Sequence, residues 1–111
     1  RQNRENAREN ARLQLAQKAA FRAASELAER MGREDPTLRR VILFGSTLPG
    51  RRYRANSDID LAVDGGDRPL LERIAADLPQ SVDVMRLDEM RAGIRDRVAA
   101  EGVVLHEAHQ D

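Results

Sequence analysis

The stretch FGSTLPGRRYRANSDIDLAV, residues Phe44–Val63, decides the predicted fold. It opens with a glycine and a serine, continues through a turn rich in glycine, proline and arginine, and ends in an apolar run that contains Asp58 and Asp60. Side chains alternate between the two faces of a β-strand, so Ile59 and Leu61 share one face and the two aspartates share the other. The stretch therefore predicts a strand with one buried face and one face that carries carboxylates.

Short helices and strands are predicted on both sides of this strand. Apolar residues recur every three or four positions from Leu13 to Met31, which predicts an amphipathic helix that Gly32 would end. The predicted strands are Leu38–Phe44, Ser57–Val63, Ser81–Leu87 and Val103–Leu105. A helix is predicted between the second and third strands and another between the third and fourth. We expect an α/β (α+β) fold, a small mixed sheet with helices packed mainly on one face, preceded by a long N-terminal helix.

Polar residues are predicted to begin the shorter helical segments. Ser46, Asp67 and Asp88 stand where N-cap residues are expected, because their side-chain oxygens can accept hydrogen bonds from the first backbone N–H groups. The last helix is predicted to bury an edge formed by Met90, Ile94 and Val98.

The chain is divided into an N-terminal helix, residues 1–33, and a core, residues 34–111. Residues 1–12 contain only Arg, Gln, Asn, Glu and Ala, so they have little apolar surface to bury and are expected to be frayed or bound to a partner. For the amphipathic part of the helix two interpretations stay open: it packs behind the sheet, or it forms an interface with a partner or a second copy.

Composition excludes several classes of function. The 19 basic and 19 acidic residues balance, so we expect no direct nucleic-acid binding and no attraction to membrane surfaces. The chain has no Cys and only two His, both expected in a C-terminal tail, His106 and His109, which argues against a zinc site. No apolar run approaches the ~20 residues of a membrane helix, so a soluble cytoplasmic domain is the expectation.

The aspartates suggest a metal site built from oxygen ligands. Asp83 lies on the strand predicted after Asp58 and Asp60, and if the two strands are neighbours, three carboxylates converge. Unit charges ~4 Å apart repel by about 4 kcal/mol at an effective dielectric constant near 20, a large part of a total stability of about 5–15 kcal/mol. Protonation or a cation such as Mg²⁺ or Mn²⁺ would relieve the repulsion. The alternative is that the aspartates line a solvated face and never converge.

Gly45 and Ser46 favour the metal site, because a strand that ends in a glycine turn exposes backbone N–H groups suited to phosphate, the usual companion of Mg²⁺. A Walker-type phosphate loop does not fit. Gly50 has the correct separation from Gly45, but Arg51 and Arg52 occupy the positions that need Lys and Ser or Thr. Three nearby polar residues are expected to have local structural roles: Tyr53, Ser57 and Asp64.

The pair Gly45-Ser46, followed by Ser57-Asp58-Ile59-Asp60-Leu61, resembles the signature of the minimal nucleotidyltransferases of the DNA polymerase β superfamily. The resemblance covers about Leu38 to Leu105. The spacing of eleven residues between Ser46 and Asp58 is longer than usual in that family, and Leu48-Pro49-Gly50 replaces its small-Arg-Gly loop. These differences affect the loop of residues 48–56 more than the aspartates.

The resemblance implies roles for individual residues. Asp58 and Asp60 would hold two Mg²⁺ ions on the triphosphate of ATP, and Asp83, as the third carboxylate, would bind a metal and help to take a proton from the attacking hydroxyl. Gly45 and Ser46 would bind the β- and γ-phosphates. Positive charge near the phosphates would come from Arg51 and Arg52.

The same resemblance implies an antitoxin. Stand-alone minimal members resemble antitoxins that transfer AMP to a hydroxyl group of a HEPN-type toxin. Two further interpretations stay open: a non-catalytic module that neutralises its partner by contact, and a transferase that modifies a small molecule such as an antibiotic. A pure scaffold, which would bind neither Mg²⁺ nor ATP, is the remaining alternative.

Overall fold

The computed structural model describes residues 4–48, 50–54 and 56–109. Short 3-10 turns at Gly45–Thr47 and Leu87–Glu89 interrupt a run of longer elements that follows the predicted order. These elements are α1 (Arg4–Glu34), β1 (Leu38–Phe44), β2 (Ile59–Gly65), α2 (Arg68–Ala75), β3 (Val82–Arg86), α3 (Ala92–Glu101) and β4 (Val103–Glu107). No helix in this described part of the chain has the length and apolarity that a membrane span requires.

In the described residues the strands form one mixed sheet in the order β3-β2-β1-β4. The β2–β3 pair is parallel, and β1 pairs antiparallel with both β2 and β4. The α2 helix connects the parallel pair, as a crossover between adjacent parallel strands requires. The mixed sheet and the terminal edge strand are confirmed, and that strand extends two residues past the predicted Leu105.

The sheet buries its two faces against different helices. Ile59, Leu61 and Val63 are almost fully buried in the main core, which α1 and α2 cover. Burying each such side chain stabilises the fold by about 1.5–3 kcal/mol relative to exposing it. The opposite face has a smaller cluster, formed by Ile42, Ala62, Leu87 and Val98, with the last of these on α3. Helices therefore pack mainly on one face, as predicted.

The first helix differs from the prediction at its end. It continues through Gly32 to Glu34, so Gly32 is not a C-cap. A Cβ atom on Gly32 would overlap the ring of His106, so a larger residue here would have to displace that ring where β4 packs against α1. The expectation that His106 belongs to a tail is therefore wrong, because it is part of β4. His109 follows that strand and is exposed.

Asp35 ends α1 and joins two turns. Its carboxylate is buried and accepts hydrogen bonds from the N–H and hydroxyl of Thr37 and from the N–H of Asp67. Burial alone would raise the pKa of Asp35, but these hydrogen bonds outweigh it and hold the pKa below its usual value. Asp67 in turn accepts from the N–H of Leu70 and caps α2, as predicted.

The other two predicted caps are wrong. Ser46 lies inside the 3-10 turn that follows Phe44, and Asp88 forms an ion pair with Arg86. The last helix begins later than expected, because the chain first makes a separate turn that buries Leu87. Of its predicted buried edge, only Val98 is correct on the helix. Met90 precedes the helix and packs, partly buried, against the same cluster, and Ile94 is 52% exposed.

The start of the chain is helical from Arg4 onward, and residues 1–3 lie outside the described residues. Every side chain from 5 to 12 is exposed, so this segment has no core to pack against. The altered loop is described only in part, because Pro49 and Ala55 also lie outside the described residues.

Candidate active site

The predicted carboxylates come together at one end of the sheet. Asp60 on β2 is in register with Asp83 on β3 and with Phe44 on β1. Residues in register on neighbouring strands are about 4.8 Å apart and project from the same face. Asp58 precedes β2 by one residue, and the strand period of two predicts that it faces the same way. The structure thus places Asp83 beside Asp60, as the sequence predicts.

Electrostatic interactions connect the three carboxylates. Burial, followed by the negative charges of Asp83 and Asp58, raises the pKa of Asp60 to about 6. Asp60 is half-buried, whereas Asp58 and Asp83 are exposed. A raised pKa means that the ionised form of Asp60 lacks compensating positive charge. This arrangement can bind a cation, which would restore the ionised state.

Gly45 contacts Asp60 closely. A Cβ atom on Gly45 would lie 2.5 Å from Oδ2 of Asp60, and the backbone φ of Gly45 is +82°. Both the contact and the left-handed backbone favour glycine over any other residue. The sequence indicated Gly45 for its approach to phosphate, but it did not indicate that Gly45 also makes room for the central carboxylate.

The metal-binding role of these residues stays a prediction. Within the described ranges, no three His, Cys, Asp or Glu side chains are already arranged as a metal-binding group. The donor set nevertheless fits Mg²⁺, since it consists of carboxylate oxygens on one face and includes a half-buried carboxylate with a raised pKa. The exposed pair, Asp58 and Asp83, would complete the group by side-chain rotation.

The loop after the glycine turn is attached to α1 through Gln17. Nε2 of Gln17 lies 3.0 Å from the carbonyl oxygen of Ser46, 2.6 Å from that of Leu48 and 3.1 Å from that of Arg51. Sequence reasoning missed Gln17. Its partners are 29 to 34 positions away, and a glutamine on a helix carries no local pattern that would indicate them.

The same loop reaches α3 through Arg51, whose guanidinium lies 2.6 Å from the Glu101 carboxylate. Arg51, predicted to bind phosphate, is thus engaged in an ion pair, while Arg52 is exposed. A cavity of about 250 Å³ lies between the loop and α3, and its lining includes Gly45 and Val98. The structure therefore brings Gly45, Ser46 and Arg51 to the end of the sheet that carries the aspartates.

Three other polar residues have the structural roles expected for them. Asp64 accepts hydrogen bonds from Arg39 and Arg40 near the opposite end of β2, and the Arg39 guanidinium lowers the pKa of Asp64. The Ser57 hydroxyl accepts a local hydrogen bond from a backbone N–H at 2.9 Å. Tyr53 is buried in the main core.

The chain matches the model of one known protein family. A family model described as "Polymerase beta, Nucleotidyltransferase" matches residues 26–111. Among curated proteins, none matches the chain.

Several solved structures resemble this one. A chain of a toxin–antitoxin complex solved with AMP-PNP is 29% identical, with a TM-score of 0.62, over 76% of this chain and 73% of that one. A chain of a mutant MntA-HpeT toxin–antitoxin complex is 27% identical, with the same TM-score of 0.62 and the same coverage, 76% and 73%. A tri-AMPylated Shewanella oneidensis HEPN toxin in complex with an MNT antitoxin includes a chain that is 24% identical. Its TM-score is 0.54 over 83% of this chain and 73% of that one, and it supports the fold alone.

Proposed function

Because this chain belongs to the polymerase beta family of nucleotidyltransferases, we propose that it transfers AMP from ATP to a hydroxyl group of a partner protein. In this proposal the partner is a HEPN-type toxin and the chain is its antitoxin. Two similar solved structures support the proposal, since both are toxin–antitoxin complexes and one contains the ATP analogue AMP-PNP.

The observation that carries the proposal is the position of Asp60. It is in register with Asp83, contacts Gly45, and has a pKa raised to about 6 by burial and by the neighbouring carboxylates. Asp58, Asp60 and Asp83 are the residues that would hold two Mg²⁺ ions, with Mn²⁺ as an alternative. When bound, the metal would polarise the phosphates and lower the pKa of the attacking hydroxyl.

The reaction forms one phosphorus–oxygen bond and breaks another. The acceptor oxygen attacks the α-phosphorus in line, its proton passes to Asp83, and the bond from the α-phosphorus to the bridging oxygen of pyrophosphate breaks. In this mechanism Gly45 and Ser46 bind the β- and γ-phosphates through backbone N–H groups and the Ser46 hydroxyl. Arg51, once its ion pair opens, and Arg52 add positive charge near the leaving pyrophosphate.

The partner is proposed to contact the N-terminal turns of α1. Side chains 5–12 are exposed, and Leu15, which follows them, is an apolar side chain that is 68% exposed. In this arrangement residues 34–111 form the catalytic core, and the exposed turns within residues 1–33 recruit the partner. A second copy of the chain would bind to the same surface. Size-exclusion chromatography with and without the partner distinguishes a complex with the partner from a complex of two copies.

Mass spectrometry of the partner tests the proposed transfer. The protein is incubated with Mg²⁺, each nucleoside triphosphate in turn, and the product of the neighbouring gene. We expect the partner to gain the mass of one adenylyl group, which is AMP less one water, with the wild type and not with Asp60→Asn. Asp64→Asn is the matched control, because it makes the same change on the same strand at a carboxylate that pairs with arginines instead.

Two outcomes would contradict the proposal. If Asp60→Asn still transferred AMP, the aspartates would not be needed for the reaction. Tight binding of the partner without any added mass, unchanged by Asp58→Asn, would instead indicate an antitoxin that acts by contact alone.

A further inference from the structure

Within the described residues, Gln17 contacts the loop beside the candidate active site at three carbonyl groups. Its side-chain nitrogen lies within 3.1 Å of the carbonyl oxygens of Ser46, Leu48 and Arg51. A primary amide has only two N–H donors, so three acceptors at these distances must share them. All three acceptors belong to one short loop, which means that a single side chain sets the direction of several of its peptide groups.

The direction of these peptide groups matters because the C=O and N–H of one peptide unit point in opposite directions. The Ser46 carbonyl points toward α1, so the N–H of Thr47 in the same peptide unit points away from α1. The carboxylates lie on that other side. Asp60 shares a strand face with Ala62, which packs against the α3 side of the sheet, whereas α1 covers the opposite face.

We propose that Gln17 is a positioning residue for the nucleotide: by holding the Ser46 and Arg51 carbonyls on the α1 side, it presents the N–H groups of Thr47 and Arg52 to the triphosphate. The Leu48 carbonyl is only an anchor, because residue 49 is proline and has no N–H. This inference rests on the proposed function and adds a residue to its site. Gln17 lies before residue 26, where the family match begins, so the N-terminal half of α1 contributes to the site in addition to recruiting a partner.

Gln17 sets the orientation of the loop peptide groups, while the anchoring of the loop in the core depends on other residues. Leu48 and Tyr53 are buried in the main core and anchor the loop whether or not Gln17 is present. A change at Gln17 should therefore disturb the orientation of the peptide groups much more than it disturbs folding. This distinction separates a positioning role from a structural one.

The test compares three variants in the full chain. Gln17→Glu keeps the shape of the side chain but replaces the N–H donors by an acceptor that repels the three carbonyls. Gln17→Met is a neutral variant of similar length without donors, in case the added charge disturbs folding. Gln14→Glu is the matched control, because it makes the same chemical change one turn earlier on the same helix, at an exposed side chain.

Three measurements are made on each variant: the midpoint of urea unfolding, the amide hydrogen exchange of residues 46–52 without ligand, and the calorimetric affinity for AMP-PNP with Mg²⁺. With either Gln17 variant we expect faster exchange in the loop and an affinity at least about tenfold weaker, since hydrogen bonds to several carbonyls are lost. In the transfer assay the KM for ATP should rise more than kcat falls. Gln14→Glu should change none of these values.

The outcomes separate the two proposals. A wild type that binds AMP-PNP, with Gln17 variants that bind equally well, overturns the positioning role and leaves the proposed function intact. A lower unfolding midpoint with unchanged exchange in the folded state and unchanged KM also overturns it, because it indicates a purely structural contact. A wild type that binds no nucleotide refutes the proposed function, and the role of Gln17 with it.

Discussion

Replacing Asp60 by asparagine is expected to stabilise the metal-free protein at neutral pH. The pKa of Asp60 is raised from 3.8 to about 6 by burial and by the charges of Asp83 and Asp58, so the ionised form is disfavoured in the folded state. A shift of about two units corresponds to about 3 kcal/mol, and solvent screening of a half-buried group reduces this to about 1–2 kcal/mol. The neutral amide of the asparagine side chain would avoid this cost.

The sign of the pH dependence follows from proton binding. Between pH 3.8 and about 6 the folded protein binds more protons at Asp60 than the unfolded chain does, so this group lowers stability as the pH rises through that window. Above pH 6 its contribution is constant and unfavourable. The advantage of Asp60→Asn should therefore be full at pH 7.5 and nearly absent at pH 4.

Urea unfolding in the presence of a chelator measures this difference at the two pH values. Asp64→Asn serves as the control with the opposite sign, because pairing with Arg39 lowers the pKa of Asp64 and its ionised form is the stabilising one. We expect Asp64→Asn to lose stability at pH 7.5. Adding Mg²⁺ should stabilise the wild type and leave Asp60→Asn unchanged.

The reasoning would be refuted if Asp60→Asn were less stable than the wild type at pH 7.5 without metal. It would also be refuted by an equal gain at both pH values, since that would locate the effect in packing and not in charge. Either result would mean that ionisation of Asp60 does not destabilise the folded protein.

Three further predictions test other parts of the fold and the site. Gly45→Ala and Gly50→Ala impose the same strain, since both glycines have φ of +82°, but only at Gly45 would the new methyl group meet Asp60. Both should lose about 1–2 kcal/mol of stability in urea, and only Gly45→Ala should weaken AMP-PNP binding by calorimetry. Asp35→Ala should lose about 2–4 kcal/mol in the same unfolding assay, because buried N–H groups lose their acceptor; an equal loss in Asp35→Asn, which keeps one acceptor oxygen, would contradict this reason and indicate the charge instead. Glu101→Gln frees Arg51 and should tighten calorimetric AMP-PNP binding about two- to fivefold; weaker binding would show that the pair holds the loop in its binding conformation.

The parts of the fold that sequence could predict depend on regular spacing. The alternation of Ile59, Asp60 and Leu61 assigns the two faces of β2, and an intervening helix predicts a parallel neighbour that carries Asp83. The register that places Asp60 beside Asp83 does not follow from these local patterns, because it depends on how the α2 crossover packs on the sheet. The central pair of the candidate site could therefore be predicted only on the condition that the two strands are neighbours.

The errors come from contacts that are distant in sequence. Gly32 looks like a helix C-cap, because a glycine near the end of an apolar stripe usually is one. Its function here depends on His106, more than seventy positions later, which occupies the space that a Cβ atom would need. The start of α3 lies later than predicted for a similar reason, since the burial of Leu87 against the sheet fixes a separate turn before the helix.

The loop that carries Ser46 is held from its two sides by interactions of different physical kinds. On the α1 side, Gln17 is a neutral, partly buried donor to carbonyl oxygens, and a phosphate does not compete for those acceptors. On the α3 side, Arg51 and Glu101 form an exposed ion pair worth about 0–1 kcal/mol, and a triphosphate competes with Glu101 for the same guanidinium. Binding of ATP should therefore release the loop from α3 while its attachment to α1 remains. The space between the loop and α3 should widen as a consequence, on the sheet face that carries the aspartates.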